Sequence, residues 1–563
     1  MKSLLRLFAL CGLGVLLWTC NEDEFLDTPP QGVLAQSNLT AREGIDAALI
    51  SAYSRTDGWA VDWGRVDSPW GGAGSNWLFG SVTSDDAHKG SEPADGASMQ
   101  DLEMFIWRPS AGEFQGKFLT VYDGIRRANE TIALINGNED LEQGDRDRLT
   151  GEALFLRAHY HADAWKMWQN IPYFTEEDLD FRKPNDQDVH PLIAADFERA
   201  ASLLPASQSQ IGRATSGAAN AMLGRHLMMV QDFAGAKTAL DRVENSGQYA
   251  LQDCYHDIFS SGGENGSGMI FSSQASANDG DPNGDNANFS QRLANPHGGS
   301  PLGCCGFHQP TQNLVNAYRV DDDGLPALDN SSSANPTPDE AVDPRLDWVA
   351  GRDGIPFLNW GTHDPSWVRD RGYSSEYNVK KFAQTEEESS NVGWVQNQLS
   401  PINVPLIRYA DVILMLAEID VENGNLEAAR EKVNRIRERA GNCAQGADAV
   451  PVPIDDETTS QTYAVGTYED SWTDQGDARE AVRLERRLEL AMEGHRFFDL
   501  RRYGTDYMIN TMETYFDIEE ERRPFLQAHA PVQPRHVRFP LPTTAIQLSL
   551  VDGQPTLRQN DGY

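Results

Sequence analysis

Three glutamates, Glu485, Glu489 and Glu493, recur every four residues in RLERRLELAMEGHRFFDLRRYG (Arg483–Gly504), which puts their carboxylates on one face of a helix. A row of that kind could hold a metal ion or supply an acid–base pair. Arg483, Arg486, Arg487 and Arg496 lie within a turn of it. A carboxylate beside a guanidinium keeps its charge and a low pKa, which is the wrong state for a general acid. Leu484, Leu488, Ala491 and Met492 form an apolar stripe on the same segment, continued by Phe497, Phe498 and Leu500 beyond Gly494. The segment therefore reads as scaffold, braced by ion pairs.

The tryptophans point to a different chemistry. Trp59, Trp63, Trp70 and Trp77 fall in GWAVDWGRVDSPWGGAGSNW, and Trp348, Trp360 and Trp367 fall in a second window rich in Gly, Asp and Pro. An indole face is flat and apolar and matches the C–H face of a pyranose, while neighbouring polar groups bond hydroxyls. Asp62, Arg65, Asp67, Asn76, Asn359 and Arg369 are placed to serve in that way. The competing reading is that the indoles wedge irregular loops onto helices; for each tryptophan taken singly that reading is the stronger, and for the cluster sugar binding is.

DGDPNGD (Asp279–Asp285) matches the first half of a calcium-binding EF-hand loop through Asp279, Asp281, Asn283 and Asp285, but Ser290 stands where a bidentate Glu is required. An Asp/Asn-rich turn is the preferred reading and calcium the alternative; no other metal or cofactor is expected. G-x-S-x-G, H-E-x-x-H and the phosphate-cradling G-x-x-x-x-G-K-[ST] do not occur. His159 and His161 are two residues apart on a helix and so face different ways. A glycosidase needs only two carboxylates, and the acid-rich composition leaves that possibility open.

The elements that would carry these residues come as helix pairs. YADVILMLAEIDVENGNLEAAREKVNRIRERAG (Tyr409–Gly441) has apolar faces at Val412, Met415, Leu416, Ile419 and at Leu426, Ala429, Val433, Ile436, separated by the turn ENGN. A second pair spans Thr215–Gly247, with Thr215 or Ser216 as N-cap. A third spans about 151–204, and a fourth joins EGIDAALISAYS to FLTVYDGIRRANETIALING within about 41–136. Pairs of this size read as tetratricopeptide-like. Residues 58–110, 260–400 and 442–478 are rich in Gly, Pro, Asp, Asn and Ser and are too long to be bare connections. The fold class expected is mainly α: four tetratricopeptide-like pairs at about 41–136, 151–204, 215–247 and 405–441, and a loop-rich half with a few short strands at about 58–110 and 260–400.

The ends and the charge bound the setting. Lys2 and Arg6 precede an apolar stretch, Leu7–Trp18, that is too short to span a bilayer, and it stops at Cys20. That resembles a bacterial lipoprotein cleavage site, with 1–19 as signal peptide, Cys20 lipidated and 20–40 as a tether. The formal net charge of −38 argues against nucleic acid and anionic lipid heads as partners. Cys254, Cys304, Cys305 and Cys443 are available for disulfides in an exported protein, and the neighbours Cys304 and Cys305 are not easily joined to each other without strain.

Five blocks, in order, resemble one family, the SusD/RagB-like outer-membrane nutrient-binding lipoproteins. They are CNEDEFLDTPP, GEALFLRAHYHADAWKMWQNIPYF, PLIRYADVILMLAEI, RRLELAMEGHRFFDLRRYG and VRFPLPTTAIQLSLVDGQPTLRQNDGY, the last two inside a C-terminal block at 479–563. The tail departs from the family pattern at Asp561, which holds the place of a Pro. The acidic NEDE after Cys20 resembles the tag that sends Bacteroidetes lipoproteins to the outer leaflet. The resemblance implies one SusD-like domain over 41–563, a lipid anchor at the cell surface, and capture of oligosaccharide without catalysis. It also implies a partner, a SusC-like TonB-dependent transporter. Alternatives are a glycoside hydrolase and a helical-repeat scaffold for protein or peptide.

Overall fold

The computed structural model describes residues 39–58, 68–328, 331–447 and 450–563. The lipidation candidate Cys20 and the site candidates Trp59, Asp62, Trp63, Arg65 and Asp67 lie outside the described residues. Helices dominate. In chain order the long ones are α1 (Arg42–Tyr53), α2 (Gly112–Asn136), α3 (Gln143–Trp168), α4 (His190–Leu203), α5 (Ser216–Met228), α6 (Phe233–Glu244), α7 (Tyr409–Glu422), α8 (Leu426–Ala440), α9 (Gln475–Leu490), α10 (Arg496–Tyr503) and α11 (Thr505–Glu519). Each of α1 to α8 packs against the next, which stacks the pairs α1–α2, α3–α4, α5–α6 and α7–α8.

The stacking is close because small residues sit at crossings. A Cβ on Gly124 of α2 would meet the Tyr160 ring of α3 at 2.6 Å, and one on Gly224 of α5 would meet Leu240 of α6 at 2.5 Å. Thr215 caps α5 by accepting from the Ala218 N–H at 3.2 Å. Helix α3 begins at Gln143, eight residues before Gly151. That first stretch, QGDRDRLT, lacks apolar periodicity; it is held instead by Arg146, which donates to the Ile135 carbonyl at 2.7 Å, and by the Arg148–Glu152 pair.

The loop-rich half carries short strands. Among them β1 (Ala87–Gly90) pairs antiparallel with β3 (Phe307–Pro310), and β2 (Met269–Ser273) pairs antiparallel with β4 (Val404–Arg408). The second ladder matters most. It ties the start and end of the 260–400 window together just before α7, so the window is anchored to the helical stack at both ends.

The glutamate row is the joint between the two halves. Glu485 accepts from Arg345 at 2.7 Å and from Arg437 at 2.9 Å. Glu489 accepts from Arg345, Arg408 and Arg439, and Glu493 from Arg408 and from Lys381 at 2.6 Å. All of these groups are buried. The row is scaffold, but its partners are not the adjacent arginines. Arg486 turns to Asp411 and Asp499, Arg487 to Asp86, and Arg496 to Asp85. Only Glu485 and Glu489 share a face of α9; the helix stops at Leu490, and Glu493 reaches the same cluster from the turn that follows. Arg486 and Arg487 sit one or two positions from Glu485 and point to other faces, and Arg496 opens α10 beyond the turn, so each arginine meets a different element.

Both disulfides among the described residues are within the loop-rich segments or join them to helices. Cys254 bonds Cys443, with Cα atoms 5.4 Å apart and a sequence separation of 189. The structure also joins Cys304 to Cys305, a pairing the sequence reading disfavoured. The loop closed by Cys254–Cys443 is long, so cross-linking removes much entropy from the unfolded chain. The double variant Cys254→Ser, Cys443→Ser is expected to lose about 2–5 kcal/mol of unfolding free energy in urea; no shift in midpoint would show that the link contributes nothing.

Candidate functional site

The structure brings two tryptophans to one surface platform. Trp70 lies in the tight turn Pro69–Gly72, and the turn is fixed by its glycines. A Cβ on Gly71 would sit 2.1 Å from the Glu113 carbonyl oxygen at the start of α2, and one on Gly72 would sit 2.6 Å from that of Gly58. No larger residue lets the backbone lie so close, so the sequence PWGG presses the turn onto the helix and leaves the Trp70 indole half-buried. Trp70 stacks on Phe289, with centroids 5.5 Å apart at 20°.

Trp394 completes the platform and stands edge-on to Trp70 at 5.7 Å and 87°. It is 52% exposed, the largest exposed ring of the 260–400 window. Its position is fixed from three sides. The Trp394 N–H donates to Gln398 Oε1 at 2.9 Å, Gly393 before it takes φ +107°, and the Arg292 guanidinium lies 4.4 Å from its ring centroid. Cation–π contact of this kind orients an indole at about 0.5–1 kcal/mol at an exposed site. Gln384 links a third indole to the same loop. Its carbonyl accepts from Trp360 Nε1 at 2.7 Å, and its amide donates to the Asn397 carbonyl. Trp360 is half-buried.

Other candidates are placed elsewhere. Trp77, Trp348 and Trp367 are core side chains. Trp77 packs on His308 at 5.3 Å, Trp348 stacks on His256 at 4.3 Å and 12°, and Trp367 meets Phe357 and His363 edge-on. They cannot present a face to a ligand; they plug irregular loops that lack regular backbone pairing. Asn76 is buried and donates to Asp163 of α3 at 3.0 Å, so it faces the helical half. Arg369 is spent on Ser91, Glu92 and Asp95, and Asn359 on Glu386 and Glu387.

The Asp279–Asp285 loop closes on itself. Asp279 accepts from the Asp281 N–H at 3.0 Å and from Asn286 Nδ2 at 2.7 Å; Asp281 accepts from the N–H groups of Asn283 and Asp285. These oxygens already serve chain donors, which is the geometry of an Asx turn. Among the described residues no group of three or more His, Cys, Asp and Glu is arranged around a common metal position.

Trp394 is the residue that sequence reasoning missed. A signal was present: SSNVGWVQNQ sets one indole behind a glycine and among polar residues, with no apolar periodicity to bury it.

Comparison with known proteins agrees with this architecture. A family model described as "SusD family" matches residues 267–563, and one described as "Starch-binding associating with outer membrane" matches residues 69–228. The SusD-like protein P25 of Formosa agariphila is 22% identical, over 97% of this chain and 98% of its own. Among solved structures, a SusD superfamily protein from Bacteroides vulgatus superposes with a TM-score of 0.68 at 21% identity, covering 93% of this chain and 99% of its own. The surface glycan-binding protein A of Bacteroides thetaiotaomicron, solved with laminarihexaose, gives 0.64 at 19% identity, covering 92% and 99%. The first match spans more than half of the chain, and the fold superposes on the solved relatives over nearly its whole length: the chain belongs to the SusD family.

Proposed function

We propose that this protein binds an oligosaccharide at the cell surface without cleaving it and hands it to a SusC-like TonB-dependent transporter. The observation that carries the reading is the Trp70–Trp394 platform: two indoles at right angles on the loop-rich half of a SusD-family fold. A right-angled pair suits a chain that bends, with one ring under a pyranose face and the other against its edge. Binding by stacking and hydroxyl bonds needs no cofactor. Cys20 would carry the lipid, and the acidic residues after it would direct the protein outward. No helix among the described residues is long and apolar enough to cross a membrane, and a lipid tether requires none.

The test is calorimetry of the purified mature protein against a panel of oligosaccharides, followed by an assay for new reducing ends. At least one glycan is expected to bind and to remain intact. Release of new reducing ends would replace this reading with a glycoside hydrolase.

A further inference from the structure

A cavity of about 80 Å³ lies where the Gly74–Asn76 loop and β4 meet α3 and α5. One water occupies roughly 10–15 Å³ of such volume, so there is room for a small solute. His159, Asp163 and Lys166 of α3 and Arg225 of α5 line one side, and Ser75 and Asn76 line another. Most ionic groups around it are committed: Asp163 pairs with Lys117 and Lys166, Arg486 with Asp411 and Asp499, and Arg502 with Glu418.

What remains uncommitted has a pattern. Ser75 Oγ and Asn76 Oδ1 have no hydrogen-bond partner among the described residues, although these residues are only 5% and 6% exposed. Polar groups left unmet at such depth are costly. Arg225 donates to the Leu406 carbonyl at 2.6 Å and lies near the Met222 sulfur, and its carboxylate neighbour Asp411 is 3.8 Å away. The side chains of Lys166 and Arg225 each keep 24% exposure, whereas Asp163 keeps 11% and Asp411 only 1%. Lys166 and Arg225 thus keep more exposure than the carboxylates beside them, and the other acids of the lining, Glu493 and Asp499, are each paired with arginine, within a chain of net charge −38. His159 and His495 complete the wall as neutral imidazoles: burial, with Arg225 nearby, depresses them to about 3 and about 4.

We infer that this cavity binds a small hydroxylated carboxylate, its carboxylate toward Lys166 and Arg225 and its hydroxyls toward Asn76 Oδ1 and Ser75 Oγ. Phe498, against whose ring Lys166 already lies at 4.6 Å, supplies the apolar wall. The site is separate from the tryptophan platform and does not depend on the glycan reading.

The experiment titrates the mature protein with sodium D-glycerate, and in parallel with glycerol, which has hydroxyls without charge, and sodium acetate, which has charge without hydroxyls. Glycerate is expected to bind more tightly than either. Loss of a charge-assisted hydrogen bond should weaken it about tenfold or more in Arg225→Met. Asn76→Asp, which keeps the shape and adds a repelling charge, should have a similar effect. Circular dichroism establishes that each variant is folded, and the Trp70→Ala, Trp394→Ala variant should bind glycerate as the parent does. No glycerate binding to the parent, equal binding of glycerol or acetate, or unchanged affinity in folded Asn76→Asp would overturn the assignment.

Discussion

Trp70→Ala combined with Trp394→Ala should weaken oligosaccharide binding by at least about thirtyfold, since truncating even one aromatic anchor of a binding site costs about 2 kcal/mol or more. The two rings play different parts. Trp394 offers its exposed face, so its loss removes ligand contact directly. Trp70 is half-buried between Phe289 and Trp394, so its loss also removes the edge that holds Trp394 upright. Trp394→Ala alone should therefore weaken binding with little change in unfolding temperature, and Trp70→Ala should lower both. Calorimetric titration with whichever oligosaccharide the parent binds separates these cases. An affinity within about twofold of the parent in the folded double variant would remove the platform from the binding site.

Glu489→Gln should destabilise the fold by about 3–5 kcal/mol, because removing one member of a buried ion cluster leaves the others uncompensated. Glu489 is fully buried and accepts from three arginines, Arg345, Arg408 and Arg439, which come from a short helix of the loop-rich half, from β4 and from α8. The substitution keeps the shape and removes the charge that all three share. The acid dependence follows with a definite sign. Although burial opposes ionisation, the arginines hold the Glu489 carboxyl well below its ordinary value of 4.5. A depressed folded-state pKa contributes stability that is present above the unfolded value and is lost as pH falls toward the folded one. Urea midpoints of the parent should therefore drop as pH is lowered below about 4.5, and those of Glu489→Gln should drop less steeply. Parallel curves would show that this carboxyl is not linked to folding.

The reading of the glutamate row shows where sequence stops. That Glu485 and Glu489 share a helix face, and that guanidinium groups hold them ionised, follows from spacing and composition; that Glu493 joins them from the turn after the helix does not. Which guanidinium groups do so does not, because Arg345 lies 140 residues before Glu485 in the chain. The tryptophans show the same limit more sharply. Trp348, Trp360 and Trp367 occupy one stretch of similar composition, yet the first and third are core and Trp360 is only half-buried. Trp394, which stands most clearly in solvent, is marked only by the glycine before it and the polar residues around it, a setting that Trp360 behind Asn359 nearly shares.

The helix pairs, the Thr215 cap, the scaffold role of the glutamates and the family resemblance are all legible along the chain. Each rests on periodicity or short motifs, and backbone geometry converts spacing along a chain directly into the face of a helix. Which indoles reach the surface, how the disulfides pair, and that Ser75 and Asn76 line a polar cavity against α3 and α5 are settled by folding. Those properties depend on what distant segments cover, and in loops without a repeating period, spacing along the chain carries no record of that cover.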